Sequence, residues 1–216
     1  PIYSPRKPAS VQKLLTASAA LTYLTPTQRF TTSAWIGVKE KSVVIQGSLD
    51  PWISLNDPQA KKMGRTSLPR IEYNTLNALK ETNSGLIRYS TIYYSNLYSQ
   101  DVANLKNFYI KHGLRPNMKR VSDVEAAELA AQPILSSDSP ELQEILAFTL
   151  TWSDNLLAER IARLAAKAAG YSLDDAGVAQ TFSEVLSSFG IENRSVVIQD
   201  ASGLSRDKRI TAKQVA

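Results

Sequence analysis

Two short constellations in these 216 residues carry groups suited to nucleophilic catalysis. In KPASVQKLLTASAAL, residues 7–21, Ser10 stands three positions before Lys13, and in a helix both side chains share one face. A serine hydroxyl is a poor nucleophile until a base takes its proton. Lysine can be that base once burial or nearby positive charge brings its pKa from about 10.4 toward neutrality. Spacing alone decides little, because Ser and Lys three apart arise by chance about once in a chain of this length. Ser205 and Lys208 in SRDK repeat it here. The second constellation is Ser153, Asp154 and Asn155 in TWSDNLLAE. Ser-Asp-Asn arises by chance in about one such chain in thirty, and here it heads an amphipathic segment. Its side chains there can cap a helix or face a cleft.

The elements that position these groups read as follows. Pro8 fits the first turn of a helix whose buried face is expected at Leu14, Leu15, Ala17, Ser18 and Leu21; the two leucines beside Lys13 would supply its apolar surroundings. From Phe30 to about Leu55, β-branched and aromatic residues broken by Gly and Asp-Pro predict short strands and turns. YNTLNALKETNSG predicts a helix stopped at Gly85, LIRYSTIYYSNLY a strand, and VANLKNFYIKHG a helix stopped at Gly113. After about Asp123 the pattern turns helical. In SSDSPELQEILAFTLTW, Ser139 is the expected N-cap, with Pro140 at the first helical position and Glu141 complementing the dipole. SDNLLAERIARLAAKAAG carries a stripe of Leu157, Ile161, Leu164 and Ala168, with Glu159 four before Arg163 on the solvent side. VAQTFSEVLSSFG repeats the plan with Val178, Phe182, Val185, Leu186 and Phe189, closed by Gly190. SVVIQD reads as a strand and ITAKQVA as the start of a helix.

Composition narrows the classes. The apolar and charged fractions, 43% and 21%, are those of a globular protein of one or two domains. The absence of cysteine excludes disulfides and thiolate metal sites, and a single histidine excludes a multi-histidine metal site. His112, at a basic helix end with no motif around it, reads as solvated rather than as part of a Ser-His-Asp triad. Net charge is +5, but the basic residues are scattered, so nucleic acid is not the expected partner; alternating aromatics in IRYSTIYYSNLY read as a strand rather than a base-stacking surface. No apolar run reaches the roughly 18 to 20 residues of a membrane span.

Ser-x-x-Lys followed by Ser-Asp-Asn matches the active-serine signature shared by penicillin-binding proteins and class A β-lactamases. The surrounding words PASVQKLLTASAAL, SPELQEILAFTLTWSDNLLAERIAR and QDASGLSRDKRITAKQVA resemble, in that order, the low-molecular-mass class C penicillin-binding proteins, the serine-type D-alanyl-D-alanine carboxypeptidase and endopeptidase family. GSLDPWIS and LNALKETNSGLIRYSTIYYSNLYS resemble pieces of the domains this family inserts between its first two motifs. A class A β-lactamase fits less well, since its motifs lie closer together and no acidic residue after Ser153 falls in its Glu-x-x-x-Asn pattern.

The resemblance implies an α+β fold: the helical part of a penicillin-recognising serine transpeptidase/β-lactamase-like fold, with an inserted mixed α/β region and most of the catalytic antiparallel sheet missing. Residues 1–36 would begin the catalytic domain, 37–128 would form a shortened insert, and 129–216 would return to the catalytic domain. It implies Ser10 as acylated nucleophile, Lys13 as general base, Ser153 as proton relay to the leaving D-alanine, and Asn155, with Asp154, as substrate contacts. Ser202 and Gly203, in DASGLSR, read as structural. No cofactor or metal is implied. The partners would be peptidoglycan stem peptides and β-lactams, in an extracytoplasmic location. The family's third motif, Lys-Thr-Gly, does not occur; the nearest string, KHG at 111–113, precedes Ser153 and reads as a helix end. In the family that motif follows the SGLSR region on a strand that helps form the oxyanion hole, so the sequence reads as truncated at both ends. Loss of one oxyanion donor costs about 10²- to 10³-fold, and hydrolysis by these residues alone is expected to be very weak. The alternative is a non-catalytic wall-binding relic of the same fold.

Overall fold

The described residues of the computed structural model, 9–191 and 201–203, begin with a 3-10 turn at Ala9–Val11 that runs into α1, Gln12–Tyr23. Two compact units are present: residues 29–140 form one, and residues up to 28 together with those from 141 form the other. In the second of these, α1 is accompanied by α6 (Leu142–Trp152), α7 (Asn155–Ala168) and α8 (Asp175–Ser188).

The buried face of α1 is not the expected leucine face. Leu14 and Leu21 are 51% and 53% exposed, while Gln12, Lys13, Thr16, Ala17, Ala19 and Ala20 are buried. Alanine side chains let helix backbones approach closely, and Ala19 packs into one cluster with Ala162, Ala165 and Ala166 of α7 and Val178, Phe182 and Val185 of α8. Small residues therefore line most of the inside: Ala17 is buried as expected, Leu15 is half-buried against the same cluster, and Leu14 and Leu21 are left outside.

Similar adjustments occur elsewhere in this unit. Helix α6 starts later than expected, with Glu141 as N-cap in a reciprocal capping box with Glu144. Ser139, which belongs to the unit of residues 29–140, instead accepts the Phe30 amide of that unit at 3.0 Å. Along α7 the stripe runs through Leu157, Ile161, Leu164 and Ala165, and Ala168 is exposed. Arg163 pairs with Asp175 at 2.9 Å rather than with Glu159. Phe189, just past α8, is 64% exposed. SVVIQD and ITAKQVA lie outside the described residues.

The unit of residues 29–140 is built on a five-stranded sheet of β1 (Thr31–Gly37), β2 (Ser42–Gln46), β3 (Thr91–Ser95), β4 (Asn117–Arg120) and β5 (Ala130–Asp138), in the order β4-β3-β2-β1-β5. β1 is antiparallel to β2 and β5, whereas β2, β3 and β4 run parallel. The parallel pairs need crossover helices. These are α2 (Asp57–Met63) and α3 (Leu68–Thr82) between β2 and β3, and α4 (Ser99–Lys111) between β3 and β4. Strand alternation separates two cores: Val43, Ile45 and Ile92 pack with Leu76, Leu79 and Leu105, while Val44 and Tyr93 face Ala126 of α5, Asp123–Leu129. β5 falls where a helical pattern was expected. Its Ala-rich start hides it in the sequence, and pairing along β1 makes it a strand; Pro133 is tolerated because β5 is an edge and the register shifts beside it. His112, the C-cap of α4, is exposed, with Nδ1 2.8 Å from the Phe108 carbonyl oxygen.

Within this unit Glu72 of α3 is only 8% exposed. Burial pushes its carboxyl up to about 7, against the opposing pull of Lys111. The folded state therefore holds the Glu72 proton more tightly than the unfolded chain, and wild-type stability falls as pH rises from about 4.5 through about 7. Glu72→Gln is expected to stabilise the fold by about 2 kcal/mol at pH 8 and to have little effect at pH 4, read as the urea unfolding free energy at the two values.

Candidate active site

Ser10, Lys13, Ser153 and Asn155 meet in the helical unit. Ser10 sits in the exposed 3-10 turn before α1, and Lys13 lies one turn further, 2% exposed. The Lys13 amine reaches Asn155 Oδ1 at 2.7 Å, the Ser202 carbonyl oxygen at 2.9 Å and Ser10 Oγ at 3.4 Å. Ser153 donates its hydroxyl to Ser10 Oγ at 2.7 Å. A buried amine thus faces an exposed hydroxyl that is held from a second side.

The positions follow from how the helices end. Ser153 is the C-cap of α6, in the left-handed region at φ 55° and ψ 41°, a conformation that costs a non-glycine residue about 1 kcal/mol or more. Asp154 follows as the N-cap of α7, one carboxylate oxygen accepting the Leu157 amide at 3.0 Å. Asn155 opens α7. The Ser-Asp-Asn triplet is therefore the corner between two helices, in which Asp154 caps α7 while Ser153 and Asn155 bond Ser10 and Lys13. Ala9, beside the nucleophile candidate, is also left-handed, at φ 47°.

Residues 201–203 close the site. Thr16 donates its hydroxyl to the Ala201 carbonyl oxygen at 2.9 Å, and Glu159 Oε1 accepts the amides of Ala201 and Ser202 at 2.8 and 3.0 Å. Gly203 has φ +90°, and a Cβ built on it collides with the Ala9 backbone carbonyl. The expected structural part of Ser202 is thereby made specific, since its main-chain oxygen accepts from Lys13. Thr16 and Glu159 escaped the sequence reading. Thr16 continues the Ser10, Lys13 spacing by another three residues, and Glu159 lies four after Asn155, so both share a face with a residue already singled out.

The sequence profile described as D-Ala-D-Ala carboxypeptidase 3 (S13) family matches residues 4–83 and 96–216. The chain belongs to the S13 family. No curated protein sequence matches it. Among solved structures, penicillin binding protein 4 (dacB) from Haemophilus influenzae aligns at TM-score 0.64 with 15% identity, over 98% of this chain and 69% of that one. A complex of the same protein with a β-lactam gives the same TM-score and identity, over 98% and 67%. Bd3459, a predatory peptidoglycan endopeptidase from Bdellovibrio bacteriovorus, aligns at TM-score 0.51 with 14% identity, over 98% and 62%. At these identities the likeness is one of fold, and it bears out the α+β, penicillin-recognising architecture. Within this S13 chain, Gly203 and Gly190 both have positive φ, but a Cβ at Gly190 meets open space. Gly203→Ala is therefore expected to cost at least about 1 kcal/mol more than Gly190→Ala, measured by urea unfolding of the two variants.

Proposed function

We propose that the protein is a serine-type D-Ala-D-Ala carboxypeptidase or endopeptidase that cleaves peptidoglycan stem peptides through an acyl-enzyme on Ser10, in the extracytoplasmic space. The observation that carries this is the convergence of the Lys13 amine and the Ser153 hydroxyl on Ser10 Oγ, at 3.4 and 2.7 Å. A neutral amine has two N–H bonds and one lone pair. Asn155 Oδ1 and the Ser202 carbonyl accept N–H bonds from the amine at shorter range than Ser10, and in this reading its lone pair serves the Ser10 hydroxyl.

In this reading Lys13 takes the Ser10 proton as Oγ bonds to the penultimate D-alanine carbonyl carbon. The bond to the terminal D-alanine nitrogen then breaks, and the proton taken up by Lys13 returns through the Ser153 hydroxyl to that leaving amine, restoring both groups. Water hydrolyses the resulting ester and regenerates the Ser10 hydroxyl. Asn155 divides its side chain, the oxygen holding Lys13 and the amide nitrogen available to the substrate, with Asp154 beside it. β-Lactams imitate the D-Ala-D-Ala amide and acylate the same oxygen.

Labelling of the natural full-length protein with a fluorescent penicillin tests this reading. Covalent label is expected at one per chain, abolished by Ser10→Ala and slowed at least about 10²-fold by Lys13→Met. Label that persists in Ser10→Ala would refute the assignment of the nucleophile. Peptidoglycan binding with no labelling at all would instead make the protein a non-catalytic wall-binding member of the fold.

A further inference from the structure

We propose that Glu159 is a positioning residue for Lys13, acting through the backbone of residues 201–203; the proposal rests on the reading of Lys13 as the general base. Glu159 was expected on the solvent side, paired with Arg163, but Arg163 bonds Asp175 and Glu159 turns toward the site. One of its carboxylate oxygens accepts two successive amides, from Ala201 at 2.8 Å and Ser202 at 3.0 Å. These residues are far along the chain from α7, so the bonds contribute nothing to that helix's own backbone pairing. They serve the segment instead.

The peptide between Ala201 and Ser202 is held at both ends. Its N–H bonds Glu159 of α7, and its carbonyl accepts from Thr16 of α1 at 2.9 Å. With that plane fixed, the next carbonyl, that of Ser202, meets Lys13 at 2.9 Å. Gly203 then passes so close to the Ala9 carbonyl that no side chain fits between them, which limits how the segment could shift. Asn155 and Glu159 are four apart on α7, so this one helix governs two close oxygen partners of the amine: Asn155 Oδ1 directly, and the Ser202 carbonyl through Glu159. In a site where the lone pair must point at Ser10, loss of either partner lets the amine turn away. A misplacement of about 1 Å in a reacting group can cost 10²-fold in rate.

The test is acylation of the full-length protein by a fluorescent penicillin, resolving the acylation rate constant from the preceding non-covalent binding constant and normalising to labelled sites, so that misfolded molecules are not counted. Glu159→Ala is expected to lower the acylation rate constant roughly 10- to 100-fold with little change in non-covalent binding. Glu159→Gln, which keeps an oxygen acceptor of the same reach, should recover most of the rate. Glu159→Asp, one methylene shorter, should fall with alanine, and it provides the reading if the alanine variant does not fold. Wild-type rate constants in the alanine or aspartate variant, or equal losses in glutamine and alanine, would overturn the proposal while leaving Lys13 as base. A wild-type protein that is not labelled would remove both.

Discussion

A lysine amine cannot be taken out of water without compensation; an unpaired ammonium in a protein interior costs several kcal/mol. Lys13 is nearly inaccessible, and the oxygens around it include those of Ser10 in the turn before α1, of Asn155 in α7 and of residue 202. The arrangement of the helical unit around the candidate site follows from that requirement. α1 must present the lysine inward, α7 must begin where Asn155 can reach it, and a segment more than 180 residues along the chain must return its main chain to the same place. The alanine-lined seam between α1 and α7 allows the approach. A leucine-lined seam would hold the helices farther apart and leave the amine short of its partners.

How much of this could be read beforehand depends on whether the information was local. Ser10 and Lys13 share a face through helical periodicity, and Asp154 caps α7 because short polar side chains suit helix starts; both are visible in a few residues. The expectation for Leu14 and Leu21 fails because close helix contact selects small residues: Ala17, as expected, and with it Ala19 and Ala20. β5 was missed because its identity comes from a partner, β1, about a hundred residues away. Ser139 was misjudged for a similar reason, its hydroxyl being used by the Phe30 amide rather than by the helix that follows. For Glu159 the local i to i+4 pairing rule pointed to Arg163, and two distant amides and Asp175 outcompeted it.

The unit of residues 29–140 follows different rules. Its parallel strands require helical crossovers, its alternating strands feed a core on each face, and it tolerates inside that core a glutamate whose ionisation opposes folding. The tyrosine at 109, fully buried and bonded at 2.7 Å to Thr75, shows that polar groups are accepted there when they find partners. The candidate catalytic groups named above all lie in the other unit.

Where the helical unit gives up its chain and takes it back, the two backbones are stitched together: the Leu142 amide donates to the Gln28 carbonyl and the Gln143 amide to Pro26, each at 2.9 Å. To α1 and α6 everything between them is a single excursion whose mouth is already shut. Lengthening or trimming such an excursion changes its closure entropy only logarithmically. The pinch between residues 26–28 and 142–143 thus makes the register of α1 and α6 depend little on the length of chain that runs between them.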